Sequence, residues 1–115
     1  MTSDAAAINA FDVLIVPFPF AERDSVKRRP ALALSSADFI ARTGTVVVAM
    51  ITSRGHSPWP HDVPLSDLQA AGLHTPCVVR WKLATRDVRL IAGRAGSLAP
   101  TDRAAVRAAM RKALG

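Results

Sequence analysis

The chain is 115 residues long and carries 15 Lys and Arg against 9 Asp and Glu, a formal net charge of +6 with a pI near 11.1. A chain of this length forms one domain and buries about two-thirds of the surface its unfolded form exposes, so it needs no disulfide or metal staple. Its single cysteine, Cys77, has no partner within the chain; the longest apolar run, residues 46–51, is strand-sized; and residues 1–10 hold Asp4 but no basic group. These features argue against secreted, membrane-spanning and targeted classes, and a cytoplasmic domain is the expectation.

The charge is unevenly placed. Residues 1–79 hold six basic groups against seven acidic ones, whereas residues 80–115 hold nine against two, Asp87 and Asp102. Twelve of the fifteen basic residues are Arg, the side chain whose planar fork matches a phosphate. Abundant Arg and Ala beside a single Glu, Glu22, equally fit a GC-rich coding composition. Charge alone therefore permits a polyanionic partner without requiring one.

In chain order, residues 1–10 read as a flexible leader and 11–115 as a single domain. Residues 11–20 are β-rich but contain Pro17 and Pro19; proline cannot donate to a ladder, so this strand ends near Val16 or lies on an edge. Residues 21–29 are polar and predict a loop, and 30–35 a short strand. The strongest strand signal spans 43–52, where continuous β-branched character predicts burial on both faces. Residues 53–64 contain three prolines and a glycine and predict an irregular loop. A helical turn ending at Gly72 is expected over 66–73, a strand over 76–83 and a shorter one over 87–92. The last element is a helix with Pro100 near its start, Asp102 in its first turn, and Val106, Met110 and Leu114 spaced by four beside a stripe of Arg103, Arg107 and Arg111. Short strands, polar loops and one terminal helix predict a mainly β fold, a small antiparallel barrel with a helix packed on it.

By residue type alone, the candidate functional groups have two readings each. Lys27, Arg28 and Arg29 ahead of a buried strand suit either phosphate contact or a solvated gatekeeper cluster. Thr52 is a hydrogen-bonding hydroxyl or an ordinary strand-end threonine. Trp59, between Pro58 and Pro60, suits stacking on a base, anchoring of the loop or a dimer contact. The Arg stripe on the last helix is an RNA track or a solvated face. His56, His61 and His74 lack the spacing of a structural zinc site and Cys77 adds no ligand, so no metal and no cofactor are expected.

The ordered series DVLIVPFPF (residues 12–20), KRRPALAL (27–34) and VVVAMITS (46–53), followed by HDVPL, AGL, PCVVRWKLATRD and AGSL before a terminal helix, resembles the PemK/MazF toxins of bacterial toxin–antitoxin pairs over residues 11–114. The resemblance implies an SH3-like antiparallel barrel of about five to seven strands with a C-terminal helix. It also implies a homodimer, metal-independent cleavage of single-stranded RNA, and neutralisation by a cognate antitoxin protein. Its catalytic pair falls on Arg29, immediately before Pro30, and on Thr52, and its loop acid on Glu22 or Asp24. Lys27, Arg28, Ser53, Arg54, His56, Trp59, His61 and Arg80 are the expected RNA-binding residues. The sequence departs from the family where several members carry an acid on the strand near Trp81 and Lys82. A one-residue offset there would turn Arg80 to the other sheet face.

The chemistry is consistent with these residue types. Metal-free RNA cleavage needs a base near the 2′-hydroxyl, an acid near the leaving oxygen and donors around the phosphorane. Arg29 is a poor base and a good donor; Thr52 and Ser53 can hydrogen-bond a non-bridging oxygen; Asp24, Glu22, His56 and His61 are the candidate proton acceptors. The competing expectations are a non-catalytic toxin of related fold, of the gyrase-poison type, or a module that binds only antitoxin and operator DNA.

Overall fold

The computed structural model describes residues 8–17 and 27–115. Its strands are β1 (Asp12–Pro17), β2 (Arg28–Ala33), β3 (Thr45–Ser53), β4 (Val63–Pro64), β5 (Cys77–Asp87) and β6 (Gly93–Ser97); its helices are α1 (Ala37–Thr43), α2 (Leu68–Ala71) and α3 (Pro100–Leu114). The strands form one antiparallel, curled sheet, a half-barrel, in the order β4-β5-β3-β2-β1-β6. This is the mainly β architecture with a C-terminal helix that the sequence predicts.

Alternation along the strands divides the core between the two faces of the sheet. One face, with Val13, Leu32, Ala49, Ile51 and Val79, packs against Val106 of α3 and Ala71 of α2. The other, with Leu14, Val16, Ala31, Val46 and Val48, packs against Ile40 of α1. β3 therefore buries side chains on both faces, as its β-branched run predicts. Ile8, the first described residue, is buried in the second cluster, three positions inside the segment expected to be a loose leader.

Two local elements differ from the sequence expectation. Residues 37–43 form α1, capped by the Ser36 hydroxyl accepting from Phe39 N at 3.1 Å and closed by Gly44 at φ 70°. One buried residue, Ile40, is too little apolar pattern to announce it. The strand expected at 87–92 is instead the end of β5 followed by a 3₁₀ turn, Val88–Leu90, where the Asp87 carboxylate accepts from Arg89 N. β6 starts only at Gly93.

The helix side is tied by two devices. Asp102, in the first turn of α3, is buried and accepts from Ser66 N, Ser66 Oγ and Asp67 N at 2.8–3.1 Å. Burial pushes its carboxyl up, but those hydrogen bonds outweigh it and hold the pKa below the usual range. Gly96 and Gly72 permit close backbone approach: a Cβ on Gly96 would strike the Ala70 carbonyl, and one on Gly72 the Ala95 carbonyl. The AGL and AGSL motifs are thus the seam between α2 and β6.

Asp102→Ala should cost about 2 kcal/mol in urea unfolding, because the Ser66 and Asp67 amides and the Ser66 hydroxyl lose a charged acceptor. Since the folded pKa is depressed, the stabilisation from Asp102 is complete above the unfolded value of about 4 and is lost as pH falls through the folded one. Urea midpoints should accordingly fall more steeply in acid for the parent chain than for the variant. Gly96→Ala should lower the melting temperature with the cleft residues unchanged, which heteronuclear NMR shifts would report.

Candidate functional site

Arg29 lies on β2 opposite Val16 of β1. The β2–β3 register pairs Ala31 with Met50; Arg29 and Thr52 lie just beyond the paired stretch, each two residues along its own strand and so on the same face as that pair. On the other side of β3, Met50 pairs with Arg80 and Thr52 with Val78. Directly opposed residues share a face, so Arg29, Thr52, Met50 and Arg80 continue the α1-side face beyond its apolar cluster.

The placement of Arg80 depends on an irregularity. Between Ala49 and Met50 the register passes from Leu83 to Arg80, leaving Trp81 and Lys82 as two extra residues on β5. A single extra residue would invert the alternation; two restore it. Arg80 therefore faces the same way as Thr52.

These side chains line an open cleft of about 510 Å³, formed by Arg29, Met50, Thr52 and Arg80 from the sheet and His56, Ser57 and Trp59 from the β3–β4 loop. A smaller cleft of about 210 Å³ adjoins it, shares His56 and Arg80, and adds Ser53, Arg54 and Asp62. Arg80 is buried and donates from Nε to Asp62 Oδ1 at 3.2 Å, and from Nη2 to Asp62 Oδ2 at 2.9 Å and the Ser57 carbonyl at 2.8 Å. Burial pushes the Asp62 carboxyl up, but the Arg80 hydrogen bonds and the Trp59 N–H, at 3.0 Å, hold it below the usual range. Asp62 in turn raises the Arg80 pKa, chiefly through their hydrogen bonds. The pair is charged across the neutral range.

Of the residues expected from sequence, Arg29, Thr52, His56, Trp59 and Arg80 come together in the larger cleft, and Ser53 and Arg54 border the smaller. Lys27 and Arg28 are exposed and line neither cleft. His61 is also outside both; its backbone, at φ 65°, presents a carbonyl to Trp81 Nε1 at 2.7 Å. Glu22 and Asp24 lie outside the described residues. Sequence reasoning missed Met50, Ser57 and Asp62. The signal for Asp62 was an acid in a proline-rich loop that otherwise holds Arg54, His56 and His61. Among the described residues, no three His, Cys, Asp or Glu side chains converge as metal ligands, and no helix is long and apolar enough to cross a membrane.

A larger cleft, about 580 Å³, lies at the opposite edge between Asn9, Asp12, Arg94 and Arg103. Its polar groups are engaged with one another and with backbone: Asp12 accepts from Asn9 N and Arg94, and Arg103 donates to the Leu98 carbonyl and Ser97 Oγ. Size does not make it the better site.

A half-barrel with a terminal helix and a cationic cleft on one sheet face defines a small, single-sheet β protein with an open polar groove. The chain belongs to the family described as PemK-like, MazF-like toxin of type II toxin-antitoxin system, which its residues 9–114 match. MazF (Form-I) from Deinococcus radiodurans is 26% identical with a TM-score of 0.72, over 94% of this chain and 96% of that one. The Mycobacterium tuberculosis toxin MazF-mt6 is 24% identical with a TM-score of 0.72, over 89% and 94%. An endoribonuclease in complex with its cognate antitoxin, from a mycobacterial species, is 18% identical with a TM-score of 0.72, over 95% and 94%; these last two share the fold. No individually curated protein sequence matches the chain.

The Thr52 hydroxyl makes no hydrogen bond to the described residues, and the side chain is half-buried at the end of β3. Thr52→Val should therefore change unfolding free energy by no more than about 0.5 kcal/mol, as chemical denaturation would show.

Proposed function

We propose that this chain is an endoribonuclease toxin that cuts single-stranded RNA, mRNA included, without a metal and thereby arrests growth. The observation that carries the reading is that Arg29 and Thr52 line one open cleft with Arg80 beside them. Family membership supports it. In the reaction the RNA 2′-oxygen bonds to its own phosphorus and the bond to the 5′-oxygen breaks, the departing 5′-oxygen taking a proton from water in the open cleft, which leaves a 2′,3′-cyclic phosphate and a 5′-hydroxyl. Arg29 donates to the non-bridging oxygens as charge builds on them. Thr52 adds a neutral donor on the same side. His56 lines the cleft and takes the 2′ proton, with Asp24 and Glu22, which precede Arg29 in the sequence, as the alternative acceptors. Arg80 supplies a second cation.

Ser53, Arg54 and Trp59 extend the RNA path along the β3–β4 loop, with His61, Lys27 and Arg28 at its margins. The protein acts as a homodimer in the cytoplasm and is held inactive by an antitoxin whose acidic segment occupies the cleft. Solved complexes of MazE with MazF from Deinococcus radiodurans are consistent with that partner.

The test is incubation of purified protein with a long single-stranded RNA in EDTA, with end mapping. Site-selective cuts with 5′-hydroxyl ends are expected, and Arg29→Ala should lower the rate by about 10²–10³-fold. Thr52→Val should lose activity while retaining its stability. Growth arrest without cleavage of any of several varied RNAs would instead assign the chain to the non-catalytic, gyrase-poison type.

A further inference from the structure

Residues 54–62 bring His56, Ser57 and Trp59 to the cleft without any strand ladder of their own. Their position rests mainly on ties to β5 and to each other. Trp81 Nε1 holds the His61 carbonyl, Arg80 Nη2 holds the Ser57 carbonyl, and Asp62 receives both Arg80 and the Trp59 N–H. Asp62 is the hub, because its two oxygens accept both Arg80 Nε and Nη2 from the sheet and the Trp59 N–H from within the loop.

The Asp62–Arg80 pair is enclosed, with side-chain exposures of 13% and 9%. Attraction in such a pair is largely offset by desolvation, so orientation is what it reliably supplies. Bidentate contact through Nε and Nη2 sets the guanidinium plane, and Nη1 makes no hydrogen bond among the described residues. The same guanidinium lies 5.4 Å from the centroid of the Trp59 ring, which remains 43% exposed. A cation behind one ring face and solvent over the remainder is a stacking surface suited to any nucleobase.

We propose that Asp62 is a positioning residue for RNA: it holds the Arg80 guanidinium and the Trp59 indole as one rigid platform, Arg80 toward a phosphate and Trp59 under the neighbouring base. The inference rests on the reading of the cleft as an RNA site. Asp62 touches no substrate. It acts through the two groups it orients, so its loss weakens binding, while Arg29 and Thr52 retain the chemical step.

Binding is measured with a fully 2′-O-methylated single-stranded RNA, which cannot be cut, by quenching of Trp59 fluorescence in a Trp81→Phe background. Cleavage kinetics of the unmodified RNA accompany it. Asp62→Ala should weaken binding and raise KM about tenfold, with a smaller fall in kcat because His56 is carried on the same loop, and should lose the quench. Asp62→Asn, which keeps the shape and one carbonyl acceptor, should recover most of the affinity. The Asp62→Ala, Arg80→Ala double variant should lose clearly less than the sum of the two single losses, because part of the effect of Asp62 passes through Arg80 and the rest through Trp59. Binding by Asp62→Ala within about twofold of the parent, or additive losses in the double variant, would overturn the proposal. If Asp62→Ala does not fold, Asp62→Asn decides: a loss of about threefold in affinity supports the role, and equality with the parent removes it. Should the parent bind and quench with the methylated RNA yet cut no unmodified RNA, the nuclease reading fails and the positioning role stands.

Discussion

Strict alternation of side chains across one sheet is the constraint on which the rest of this molecule depends. Six short strands must bury apolar groups against α2 and α3 on one face and against α1 on the other. Only where the second apolar cluster stops can polar side chains replace aliphatic ones on the same face. Arg29, Thr52 and Arg80 occupy that stretch, on three adjacent strands. The cleft is therefore continuous with the core, and its side chains inherit the rigidity of the sheet. The loop over it has no such support and depends on side-chain ties instead.

Much of this was legible from sequence because periodicity reports burial. The β-branched run of β3, the apolar spacing of α3 and the polar β3–β4 loop all appear as expected. Arg29 and Thr52 are singled out by the family resemblance, through Pro30 and the end of the β3 run; the residue pattern by itself puts Arg29 in a loop, whereas it lies on β2. Other features were hidden for identifiable reasons. Helix α1 buries one side chain, too few for a pattern. Gly93–Ser97 carries no β-branched residue, yet forms β6 because its glycine lets α2 approach. The two-residue excess in β5 has no compositional signature, since it exists only relative to its partner strand. Asp62 was invisible as a functional group because its meaning lies in Arg80, eighteen positions away.

The basic surplus also acquires a division of labour. Arg103 and Arg107 lie over the ring of Phe11, at 5.6 and 4.7 Å from its centroid, and Arg103 also donates to the Leu98 carbonyl. Arg86 donates to the Pro17 carbonyl and Arg89 pairs with Asp87. Part of the charge from residue 80 onward thus fastens the helix and strand ends to the sheet. Two arginines of the α3 stripe, read from sequence as a solvated face or a nucleic-acid track, thus pack on Phe11, and the arginines at the cleft, not the total charge, define where a polyanion would be read.

The paired excess of Trp81 and Lys82 has a consequence for how chains of this architecture change over time. Because faces alternate, a one-residue excess must be absorbed by a local bulge, as Ala95 is on β6, whereas a two-residue excess leaves the alternation of core and cleft side chains intact. Such an excess can alter the rim of the groove, as the indole of Trp81 does by reaching the His61 carbonyl, while leaving the arginine beneath it facing the same way.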